Sequence, residues 1–160
     1  QGLHFTNGIL EKLSERKIPI EEVTLHVGRG TFEPVKVEDP RRHRMHEEQY
    51  EIDAGVWSRL NHYQKEKRRI VAVGTTVVRV LETLARENEP KLSGKTKIFI
   101  YPPFQFKMIQ GLLTNFHLPK STLMMLVASL CGRQRLLSSY EEAVREKYRF
   151  FSYGDCMLLI

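Results

Sequence analysis

The apolar positions switch between two periods along the chain. Ile9, Leu10 and Leu13 recur at helical spacing behind Thr6 and Asn7, both good capping types, and predict a helix to about Arg16. Ile18-Pro19-Ile20 ends it. Val23, Leu25 and Val27 then alternate with Glu22, Thr24 and His26, which predicts a strand running into Gly28-Arg29-Gly30-Thr31-Phe32. Residues 33–48 hold two prolines, many charges and no periodicity, so they predict a long surface loop. Helical spacing returns at Val56, Trp57, Leu60 and Tyr63 within 53–67. Ile70-Val71-Ala72-Val73 is an unbroken apolar run suited to a parallel sheet, and Gly74-Thr75-Thr76 turns it into a helix over 77–87. After a polar linker, Lys97-Ile98-Phe99-Ile100 predicts another strand.

Residues 112–130, LLTNFHLPKSTLMMLVASL, carry the sharpest pattern. A short apolar strand ends at Thr114-Asn115, turns through Phe116 and His117, and restarts behind Pro119 as a helix capped by Ser121 or Thr122. That helix is apolar on nearly every face, which predicts burial. Thr114, Asn115 and His117 thus form a polar turn between two buried elements, where unpaired hydrogen-bonding groups are costly. They either satisfy nearby backbone groups or meet a ligand. A helix over 140–147 and a strand over 157–160 complete the chain. Strands alternating with helices predict an α/β layered domain with a mainly parallel sheet, and 160 residues at 41% hydrophobic suffice for one domain, residues 1–160.

No run approaches the length of a membrane span, and the first residues lack the order of a signal peptide, so a cytoplasmic protein is expected. Cys131 and Cys156 each sit in apolar context and read as two buried free thiols. The net charge of +6 suggests an anionic partner. Its basic clusters are Arg41, Arg42 and Arg44, then Lys65, Lys67, Arg68 and Arg69, then Arg133 and Arg135. A solvated face explains such runs as well, unless other features support a nucleic acid.

In open α/β sheets, ligands bind where strands end and helices begin. Three such ends are polar: His26 to Thr31, Gly74 to Thr76, and Thr114 to His117. Gly28 and Gly30 allow close backbone approach, but the dinucleotide fingerprint and the phosphate-loop Lys are missing. Gly74-Thr75-Thr76 offers a helix N-terminus to a carboxylate or phosphate, although an ordinary cap explains Thr75 equally well. His46 and Glu48 suit an acid–base pair or a clamp on a ligand; their spacing is not that of a zinc site, so no metal is expected. Tyr148-Arg149-Phe150-Phe151-Ser152-Tyr153-Gly154-Asp155 sets aromatics around an Arg, a pattern that can stack bases, with core packing the plainer reading for Phe150 and Phe151.

Taken together, GLHFT at 2–6, HVGRGTF at 26–32, HRMHEE at 43–48, VGTTVVRVLE at 73–82, IFIYP at 98–102, LLTNFHLPKSTL at 112–123 and YRFFSYGD at 148–155 resemble the S-adenosylmethionine:tRNA ribosyltransferase-isomerase family of queuosine biosynthesis. Their order and reach over almost the whole chain make the set specific. The resemblance implies transfer and isomerisation of the ribosyl group of S-adenosylmethionine onto 7-aminomethyl-7-deazaguanine at the tRNA wobble position, giving epoxyqueuosine with release of adenine and methionine. S-adenosylmethionine is then a co-substrate, and no cofactor or metal is implied. The three polar strand ends then lead to the expectation that Thr75, Thr76, Asn115 and His117 hold the sulfonium donor, with Arg79 on the methionyl carboxylate and His26, Gly28, Gly30, Thr31 and Arg149 as further substrate-binding residues. The base is expected in His46 or His117, oriented by Glu48 or Asp155. The pattern departs at Pro103, where Gly is usual, at Leu130-Cys131-Gly132 for Phe-Ala-Gly, and at Gln1. The family's N-terminal region with a β-barrel-like domain is also absent, so the chain is expected to be the carboxyl-terminal part of a longer protein. The competing expectation is a non-catalytic basic RNA-binding module.

Overall fold

The computed structural model describes residues 5–28, 43–152 and 154–160. Its elements follow as α1 (Asn7–Glu15), β1 (Thr24–His26), β2 (Glu48–Glu51), α2 (Ala54–Lys65), β3 (Val71–Val73), α3 (Thr75–Leu84), β4 (Ser93–Thr96), β5 (Gly111–Asn115), α4 (Thr122–Cys131), α5 (Arg133–Arg145) and β6 (Cys156–Leu159). Three of the helix starts, those of α1, α2 and α4, obey capping chemistry. Thr6 accepts from the Ile9 N–H, Asp53 from Gly55 and Val56, and Ser121 from Met124, each satisfying a donor the helix leaves unpaired. Among the described residues no helix is long and apolar enough to cross a membrane.

The α/β class holds, with two three-stranded sheets ordered β1-β2-β4 and β3-β5-β6. The expectation of mainly parallel pairing needs correction, because β3 and β5 form the one parallel pair among the described strands. β1–β2, β2–β4 and β5–β6 are antiparallel. Alternating elements in a sequence do not fix which strands share a sheet.

The central strand of the first sheet, Glu48-Gln49-Tyr50-Glu51, falls partly in the predicted loop. It forms because Tyr50 and Glu48 are both buried, Glu48 with its charge met by Arg79. The next strand lies at Ser93–Thr96 rather than at 97–100. Its register puts Gly94 opposite Tyr50, where a Cβ would stand 3.0 Å from the Tyr50 hydroxyl, so any larger residue would press on the tyrosine ring. Ile100 is still buried, but outside any strand. α5 begins at Arg133 rather than near Tyr140, and it buries Leu136, Tyr140 and Ala143 on one face. Cys131 and Cys156 are free, as expected, but half-buried.

α3 is the hub. It touches β1 and β4 of one sheet, β3 and β5 of the other, and α4. Val78, Val80, Leu81 and Leu84 lie wholly inside against a core that includes Leu112, Leu126 and Val127, each such side chain contributing about 1.5–3 kcal/mol of transfer free energy. The same helix carries two buried charges. Glu82 accepts backbone N–H bonds from Lys107 and Met108 at 3.0 and 2.9 Å, and from Ile109 at 3.3 Å, while Arg86 pairs with it from the next turn. That carboxylate fastens the segment leading into β5.

Candidate active site

β3 ends in Gly74, whose φ of 98° belongs to the left-handed half of backbone space that glycine enters without strain. Its N–H donates to the Leu113 carbonyl of the neighbouring β5 at 2.8 Å. The chain therefore turns into α3 at the edge of the sheet, and no side chain caps the helix. Thr75 and Thr76 form its first turn. One strand over, β5 ends at Asn115 and passes through Phe116 and His117 to the cap of α4. The two parallel strands thus deliver their carboxyl ends side by side, which is the usual setting for a ligand in this class of sheet.

A cavity of about 570 Å³ opens there. Its polar wall consists of Thr75, Thr76 and Arg79 from α3, Asn115 and His117 from the β5–α4 turn, and Ser121. Val23, Leu25 and Val27 of the β1 segment form an apolar side, and Phe151 with Ser152 lies at another edge. Two of the three polar strand ends expected from the sequence therefore meet, and the third contributes through apolar residues. His26 lies on the face of β1 opposite Leu25 and is exposed. Gly28 donates its N–H to the Glu48 carboxylate at 3.2 Å. Gly30 and Thr31 lie outside the described residues, as do Arg41 and Arg42.

Arg79 is 2% exposed. Its Nη1 pairs with Glu48 Oε2, while Nε and Nη2 find no partner among the described residues. A buried guanidinium with two unpaired donor nitrogens is rare, because each costs free energy until an acceptor arrives. Glu48 therefore orients Arg79 through this contact. Nothing in the local sequence shows that link, since the two residues are 31 apart.

His117 is locked on both sides. Its Nε2 lies 2.9 Å from Thr114 Oγ1, its backbone N–H donates to the Tyr140 hydroxyl at 2.7 Å, and that hydroxyl donates back to the His117 carbonyl at 3.2 Å. Burial lowers its pKa from 6.5 to about 4, so the ring is neutral at pH 7. His46 is exposed just before β2 and does not line the cavity.

Arg149 and Asp155 close a loop. Asp155 accepts from the Arg149 backbone N–H at 2.8 Å and from its guanidinium at 3.0 Å, and this contact raises the Arg149 pKa. Asn115 Nδ2 donates to the Asp155 carbonyl at 3.3 Å, tying the loop to the end of β5. Neither Arg149 nor Asp155 lines the cavity. Among the described residues no group of three or more His, Cys, Asp or Glu could hold a metal ion.

The sequence pattern of a family described as "Queuosine biosynthesis protein" matches residues 1–159. The chain belongs to that family. Among its queuosine-biosynthesis relatives, the S-adenosylmethionine:tRNA ribosyltransferase-isomerase of Thermotoga maritima is 52% identical over 160 residues, which cover 99% of this chain and 48% of the relative. That of Desulforamulus reducens is 55% identical over 161 residues, covering 99% and 47%. The crystal structure of S-adenosylmethionine tRNA ribosyltransferase from Thermotoga maritima superposes with a TM-score of 0.83 at 46% identity, covering 99% of this chain and 51% of that one. The chain thus spans about half the length of the curated relatives it matches.

Proposed function

We propose that the cavity is the donor site of a ribosyl transfer, in which the ribosyl group of S-adenosylmethionine is moved and isomerised onto 7-aminomethyl-7-deazaguanine at the wobble position of tRNA. Epoxyqueuosine is formed and adenine and methionine leave. The convergence of the α3 N-terminus, Arg79 and the Asn115–His117 turn on one cavity carries this reading, together with the family. Thr75, Thr76 and Asn115 supply hydroxyl and amide groups for the donor. Arg79 takes the methionyl carboxylate on the two nitrogens that Glu48 leaves unpaired. The positive end of α3 adds to the attraction.

Removal of a proton beside the sulfonium needs a base. His117 and His46 are the two candidates. His117 stands in the cavity wall and is unprotonated at pH 7, the form a base requires, though a pKa of about 4 makes it a weak one. The reading calls on no cofactor and no metal. tRNA as acceptor gives the basic clusters around Arg44, Lys65 to Arg69, and Arg133 with Arg135 their counterpart, and places the reaction in the cytoplasm.

Adenine release from S-adenosylmethionine in the presence of acceptor tRNA tests the roles, measured in the intact protein with His117→Ala and His46→Ala in turn. At least one variant should lose most of the rate. If both keep full rate and unchanged donor affinity, neither histidine is the base. Saturating donor should also raise the melting temperature of the wild type by mass action, and no shift would favour a plain RNA-binding module.

A further inference from the structure

The loop that ends α5 holds Phe151 in an unusual state. Its φ is 70°, and the residue is 52% exposed at the edge of the cavity. Among the described residues four other non-glycine positions have positive φ, all of them lysines. Lys17, Lys67 and Lys147 stand two residues past the ends of α1, α2 and α5, where left-handed backbone closes a helix routinely. Phe151 closes no helix. A bulky residue in this region is strained and persists only where its surroundings enforce it.

The enforcement is visible. The Phe151 N–H donates to the Phe116 carbonyl at 3.1 Å, and its own carbonyl accepts from the Gly154 N–H at 3.0 Å. Gly154 has no room for a side chain, since a Cβ would stand 2.3 Å from the Arg149 carbonyl oxygen. The Arg149–Asp155 contacts and Asn115 Nδ2 fix the loop's two ends. Phe150 turns inward, 4.9 Å from the Phe116 ring and 5.7 Å from the Tyr140 ring. Its neighbour is thereby held outward. The two adjacent aromatics have separate jobs: Phe150 anchors the loop in the core, and the loop then presents Phe151 to the cavity.

We infer that Phe151 is a stacking platform for a purine-type ring, a specificity element of the transfer reaction. The inference rests on the donor-site reading above. An exposed aromatic gains little by itself, whereas a ring presented at the rim of the cavity by a constrained backbone accepts a flat heterocycle at small ordering cost. Two sources supply such a ring: the adenine of S-adenosylmethionine and the 7-deazaguanine of the tRNA.

Binding to the intact protein distinguishes them. Equilibrium dialysis with S-adenosylmethionine alone forms one arm, and titration with an anticodon stem-loop RNA carrying the modified base forms the other. Phe151→Ala and Phe151→Leu should weaken one arm by roughly ten-fold or more, while Phe151→Trp retains affinity, as base–aromatic stacking requires. Loss in the first arm assigns the adenine, and loss confined to the second assigns the acceptor base. The urea midpoint of Phe151→Leu should stay near that of the wild type. Retained affinity in Phe151→Leu, or equal losses in Leu and Trp, overturns the stacking role. Failure of the wild type to bind S-adenosylmethionine would instead overturn the donor-site reading, and this inference with it.

Discussion

Acidification should cost this protein stability through His117. Burial holds the imidazole at a pKa of about 4, whereas in the unfolded chain it takes up a proton near 6.5. The folded state therefore binds fewer protons between these values. Stability from this group is fully present above pH 6.5 and is lost as pH falls through 4. The gap corresponds to about 3 kcal/mol in total, of which about 2 kcal/mol is lost between pH 7.5 and 5.0. The assay is urea unfolding at pH 7.5, 6.0 and 5.0 for the wild type and for His117→Gln, whose side chain does not titrate. Gln also disturbs packing and the Thr114 contact, so absolute stabilities differ and the pH slopes are what matter. Titration of distant groups is common to both proteins and drops out of the difference. The wild type should lose about 2 kcal/mol more than the variant over this range. Parallel slopes would refute the reasoning, because they would mean that the folded protein protonates His117 as readily as the unfolded chain does.

Two further outcomes follow from single side chains. Glu82→Ala leaves the N–H groups of Lys107, Met108 and Ile109 without their acceptor inside the core, and should cost about 3–5 kcal/mol in urea unfolding, with the loss of the charge on Arg86's partner included. Gly154→Ala forces the loop apart at the Arg149 carbonyl; donor or RNA binding should fall while far-ultraviolet circular dichroism of the helices and sheets stays unchanged.

How far the site could be read in advance varied by residue. The Thr114–His117 turn was legible, because an apolar strand, a polar turn and a capped apolar helix leave few alternatives, and Ser121 does cap α4. Thr75 and Thr76 were legible for the same reason, once Gly74 ended an unbroken apolar strand. The Glu48–Arg79 pair was not. Glu48 looked like part of a charged loop, and its burial depends on a guanidinium that arrives from α3 through the tertiary fold. Arg149 and Asp155 read as binding and catalytic candidates, and their contact with each other across six residues of sequence was not legible beforehand.

By itself the sequence determined the positions of most helices and apolar strands, through spacing and caps that act within one or two turns of chain. It also determined family membership, through ordered motifs spread along the chain. Tertiary structure alone decided that β2 and β4 join β1 as an antiparallel sheet, that α3 runs between the two sheets, and that Phe150 points in while Phe151 points out. Those outcomes depend on partners distant in sequence: Tyr50 against Gly94, Glu48 against Arg79, and Phe116 beneath Phe150. Local periodicity records whether a residue prefers burial, but only the assembled chain supplies the group that makes burial of a charge affordable.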